Sequence, residues 1–129
     1  MKYRKILLPA TLLLITSLGI AYAGGSSSAT ITSDKDGAWG PYFTLEDNRG
    51  WSTASTWVSN YDSSTNTLWA AGQSSSGNEF CNASARPGAT GSQSAKDIAG
   101  GRYRVVLDPS GPLAKGCNGE GSHQSDEGR

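Results

Sequence analysis

The sequence predicts an all-β fold, a small single-domain antiparallel β-sandwich or barrel with one disulfide. Three observations carry that expectation. Short runs rich in β-branched and aromatic residues recur between Gly, Asp, Asn and Pro turns. No segment keeps a clean helical stripe. Two cysteines, Cys81 and Cys117, follow an export signal and have one possible intramolecular pairing.

The export signal occupies residues 1–23. Lys2, Arg4 and Lys5 form a basic start, Ile6 to Ile20 is a mostly apolar run, and Ala21-Tyr22-Ala23 is an A-x-A cleavage site. The apolar run is about 15 residues, short of the ~20 that span a bilayer, so no transmembrane anchor is expected after cleavage. The mature chain would be secreted or periplasmic, with eight basic against eleven acidic residues, a net charge of −3. It has no basic stripe of the kind that tracks a phosphate backbone, which argues against a nucleic-acid partner.

Gly24 to Ser28 reads as a flexible lead-in, and residues 29–117 as the β domain. Ala29 to Ser33 (ATITS) is a first strand, ended by Asp34-Lys35-Asp36-Gly37. Ala38 to Leu45 alternates, with Trp39, Pro41, Phe43 and Leu45 on one face; Pro41 cannot donate to a ladder and implies an edge strand or bulge. Trp51 to Tyr61 is the longest regular segment. Trp51, Ala54, Val58 and Tyr61 also fit a helical spacing, but Trp57 spoils the stripe and Ser and Thr lower helix propensity. As a strand it places Trp51, Thr53, Trp57 and Tyr61 on the face expected to form core.

Asp62 to Asn66 is a turn, and Thr67 to Ala71 returns as the partner strand of a Trp51–Ala71 hairpin. Gly72 to Ala95 reads as a long polar loop pinned at Cys81, with an Asn82-Ala83-Ser84 glycosylation acceptor. Arg102 to Leu107 (RYRVVL) is the clearest strand: Tyr103, Val105 and Leu107 face in, Arg102 and Arg104 out. Residues 118–129 are polar or glycine and read as a disordered tail. A Cys81–Cys117 bridge closes a loop of about 36 residues, which corresponds to roughly 3–4 kcal/mol of stabilisation.

Little in the sequence points to catalysis. The one histidine, His123, falls in the polar tail, where nothing holds it near a nucleophile. The acids Glu46, Asp47, Asp62 and Asp108 sit in or beside turns, where Asp serves the backbone. Asp34-Lys35-Asp36-Gly37 lacks the distal Glu of a calcium loop, so neither a metal nor another cofactor is expected.

The remaining signal is Trp39 to Trp69, which holds all four tryptophans. Buried, they are core; exposed, they stack on sugars or anchor interfaces. The expected function is a non-enzymatic binding protein for a glycan or cell-surface ligand. Tyr42 and Trp69 are the candidate contact rings, and Asn66 and Asp62 of the polar turn their hydrogen-bonding companions. Two alternatives stand beside it: a secreted inhibitor or effector that grips a protein with the 72–95 loop, and a membrane-active β-sandwich toxin.

Overall fold

The computed structural model describes residues 24–46 and 49–127. The expected signal peptide lies outside the described residues, as do Asp47 and Asn48. Among the described residues nine strands form: β1 (Gly25–Ile31), β2 (Ala38–Trp39), β3 (Phe43–Leu45), β4 (Ser52–Asn60), β5 (Leu68–Ser74), β6 (Glu79–Ala85), β7 (Ala89–Ile98), β8 (Gly101–Pro109) and β9 (Gly119–Asp126). Every pairing is antiparallel. One sheet runs β1-β9-β4-β7; the other runs β2-β8-β5-β6, with β3 also on β8.

The two sheets fill the core unequally. The β8/β5 sheet supplies the bulk: Leu68, Val105, Leu107 and Tyr103 are buried. The β4/β9 sheet answers with Ser52, Ala54, Thr56, Val58 and Asn60, and with Gly119, Gly121, His123 and Ser125. Size explains the division. A Cβ on Gly121 would lie 2.7 Å from Leu107 Cδ2, and one on Gly119 would lie 2.8 Å from Leu68 Cδ2. The large residues of one sheet therefore take the volume that side chains of the other would need.

This division overturns the expected core. Ser52, Ala54, Thr56, Val58 and Asn60 face inward along β4, so Trp51 and Tyr61 are exposed and Trp57 is half-buried. The segment from Ala38 to Leu45 breaks at Gly40-Pro41-Tyr42, where Pro41 cannot donate to a ladder. The break resets the alternation, so Trp39 points outward although Leu45 is buried.

Four further expectations are corrected. The Trp51–Ala71 hairpin does not form, because β4 pairs with β7 and β9 while β5 pairs with β6 and β8 in the opposite sheet. The 24–28 lead-in is the start of β1, paired from Gly25↔Ser125 onward. The 72–95 loop is mostly strand, as β6 and β7. The 118–129 tail contains β9, which sits between β1 and β4.

The disulfide is corrected too, since both cysteines are free. The Cys81 thiol lies 3.2 Å from the Gln93 carbonyl and faces Ala54. Cys117 is beside Asn118, whose carbonyl accepts from the Tyr61 amide at the other end of β4. Seven residues of strand at ~3.4 Å each separate the two positions by about 24 Å, against a Cα separation of roughly 4.4–6.8 Å in a bridge.

Candidate functional site

The outer face of the β8/β5 sheet carries a continuous strip of aromatic and charged side chains. Register places it residue by residue. Trp39 of β2 lies opposite Val106 of β8, which lies opposite Ala71 of β5. One row along, Asp108 faces Trp69, which faces Ser84 of β6. In the other direction Arg104 faces Gln73, which faces Glu79. From Arg102 to Asp108 the strip is six residues long, about 20 Å at the usual rise.

Its rings are open to solvent. Trp39 is 64% exposed and Trp69 43% exposed. They are two strands and one row apart, so about 12 Å of Val106 and Ala71 floor lies between them. Beside Trp69 a groove of about 290 Å³ is lined by Asn82, Val106, Asp108 and Ser110 among others. Burial pushes the Asp108 carboxyl above its ordinary value, and repulsion from Asp36 adds to the rise.

Cations order the opposite end. The Arg104 guanidinium lies 5.2 Å from the Trp39 ring centre and 4.7 Å from that of Tyr42, and the Arg102 guanidinium also stacks on Tyr42 at 4.7 Å. Arg104 Nε donates to Gln73 Oε1 at 2.8 Å. Such stacks hold long side chains in place.

The structure thus brings Tyr42 and Trp69 onto one face, at the two ends of the strip. It does not bring Asn66 or Asp62 there. Asn66 is a fastener: its Nδ2 donates to the Ser110 and Lys115 carbonyls, and its Oδ1 accepts from the Thr67 amide. Asp62 is exposed in the turn after β4, with its Cβ beside Gly88. Sequence reasoning did not single out Trp39 for contact, and gave Arg102 and Arg104 no role although it pointed them outward. The signal was present: Arg and aromatic residues at outward positions of neighbouring strands form stacks once those strands pair.

His123 is the other chemical group of note. It is 0% exposed, with Phe43, Phe80 and Tyr103 rings 5.2 to 6.5 Å away. Its Nδ1 shares a 2.8 Å hydrogen bond with Thr56 Oγ1, and its Nε2 has no partner. Burial lowers its pKa to about 4. No group of three or more His, Cys, Asp or Glu positioned to hold a metal occurs among the described residues.

No protein-family model matches the sequence, and no curated protein matches it. The chain is similar to several solved β-rich structures. One is CBM35 from Cellvibrio japonicus Abf62, at 13% identity and TM-score 0.46, covering 78% of this chain and 77% of that one. Another is murine APRIL, at 8% identity and TM-score 0.48, covering 79% and 99%. A third belongs to the Bacillus endospore appendages described as disulfide-linked pili, at 11% identity and TM-score 0.41, covering 81% and 84%. At such identities and TM-scores these likenesses carry no functional argument, so function is argued from the strip itself.

Proposed function

We propose that this protein is a secreted or periplasmic carbohydrate-binding protein that works by binding alone and takes its glycan along the outer strip of the β8/β5 sheet. The observation that carries the proposal is the pair Trp39 and Trp69, both exposed on one sheet face across an apolar floor. Exposed indoles at fixed spacing offer flat apolar surfaces to the C–H faces of sugar rings. Asn82, Asp108 and Ser110 supply hydrogen-bonding groups beside them for sugar hydroxyls. The His123 imidazole is sealed inside the sandwich, away from this face.

The rival inhibitor reading rested on a long 72–95 loop held by Cys81, and most of that segment is paired strand. No helix among the described residues is long and apolar enough to cross a membrane.

A glycan array followed by titration with tryptophan emission as readout tests the proposal. The expected result is a saturable change in emission, with W39A and W69A each weakening binding roughly tenfold or more. Absence of any bound glycan up to millimolar concentration would rule the proposal out.

A further inference from the structure

We infer that the saccharide is an acidic one, and that its ring carboxylate is taken by the paired guanidiniums of Arg102 and Arg104 beside Tyr42. This rests on the carbohydrate-binding proposal and names the ligand class for the same face.

The two arginines alternate along β8 and so project from one face. Each guanidinium carbon lies 4.7 Å from the centre of the Tyr42 ring. Their mutual separation is therefore at most about twice that distance, comparable to the Debye length of about 8 Å at physiological salt. Two like charges held this close repel, yet among the described residues neither makes an ion pair with a carboxylate. The one side-chain acceptor recorded on them is the neutral amide oxygen of Gln73, at Arg104 Nε. That bond and the Tyr42 stack fix the plane of the Arg104 head and leave its Nη groups unspent.

Glu46, exposed just past β3, is the nearest carboxylate to Arg102, whose strand partner is Thr44, and the other acids of the face stand farther off. Asp108 is four residues further along β8, about 14 Å, and Glu79 is two strands away, about 10 Å. Two cations are thus gathered at Tyr42, and Asp108 stands beside Trp69 at the other end. An anion seated between Arg102 and Arg104 relieves their repulsion and gains charge-assisted hydrogen bonds. A planar carboxylate matches the guanidinium fork, as a single point charge would not. The flanking Trp39 ring, 5.2 Å from Arg104, then meets the sugar that bears the carboxylate. A uronic acid combines the two features, an apolar ring face and a ring-borne carboxylate.

The test compares oligogalacturonides with their own methyl esters, which differ in charge while the chain length stays the same. Calorimetry at low salt is expected to show the acid form binding at least about tenfold tighter than the ester. Added salt should erase most of that difference. The R102Q/R104Q double variant should bind the acid no better than the ester. Equal affinity of the unaltered protein for acid and ester overturns this inference while leaving carbohydrate binding standing. Failure of both forms and of every neutral glycan overturns the proposal beneath it. A sulfated chain of equal length binding tighter than the uronate overturns the carboxylate assignment. Because the acid–ester comparison uses the unaltered protein, it decides the matter even if the double variant fails to fold.

Discussion

Neutral His123 fills a slot between the sheets, and protonating it would place a charge among three aromatic rings with no acceptor for its second N–H. Its folded pKa of about 4 lies below the unfolded value of 6.5. Between the two, the unfolded chain binds more protons, so stability rises with pH across that window. The contribution is complete above pH 6.5, is lost as pH falls toward 4, and amounts to roughly 3 kcal/mol. Denaturant melts from pH 4 to 7 are expected to show this slope, and H123Q should flatten it. Asn60 makes a similar case for buried polarity. Its Nδ2 donates to the Asn66 and Ala85 carbonyls, tying the end of β4 to two connections. N60A strands both carbonyls and should cost about 2–3 kcal/mol in urea unfolding. W39A, at a mostly exposed position, should leave stability within about 0.5 kcal/mol of the parent while impairing binding.

At the scale of elements, β9 is the strand on which the smaller-residue sheet depends. It pairs with β1 on one side and β4 on the other, and its inward positions read Gly119, Gly121, His123, Ser125. Truncation before Gly119 removes both ladders and the His123–Thr56 contact, so no cooperative thermal transition is expected by circular dichroism. Gly72 of β5 lies directly against the His123 ring, with no room there for a Cβ. G72A should therefore destabilise by about 1–3 kcal/mol through overpacking, measured as a lower urea midpoint. The strand was hidden because its buried residues are small or polar, and hydropathy does not register glycines that face a leucine. The period-two alternation of Gly119, Gly121, His123 and Ser125 with Glu120, Ser122, Gln124 and Asp126 was the available clue. In β4 the alternation was legible and the face was misassigned. Large residues were assigned to the core, but the opposite sheet had already filled that volume with Leu68, Val105 and Leu107.

Across the whole molecule, closure depends on packing and hydrogen bonds between sheets in place of a covalent bridge. Ser27 Oγ of β1 accepts from the Val105 amide of β8 at 3.1 Å, and the Gly40 amide donates to the Val105 carbonyl at 3.1 Å. The first bond ties β1 of one sheet to β8 of the other, and the second holds the chain leaving β2 against β8. With both thiols free, a reductant should leave the melting temperature unchanged, and alkylation after denaturation should add two adducts by intact mass. Burial raises the Cys117 thiol above its ordinary pKa. In the native state Cys81, at the β6 bulge and partly open, should therefore be modified ahead of it.

The amino-acid sequence by itself determined the class: short alternating runs and frequent turns lead to antiparallel β structure, and RYRVVL announced β8 and both its faces. It also placed Arg102 and Arg104 on the outside, because a strand's alternation is a local property of the backbone. Tertiary structure alone decided which face of β4 is buried, which strands pair, and that every tryptophan stays out of the core. Those outcomes depend on how two sheets share one gap about 10 Å wide. Bulk supplied by β5 and β8 leaves space only for Gly, Ala, Ser and Thr across from it, and the displaced indoles become the surface that a ligand meets.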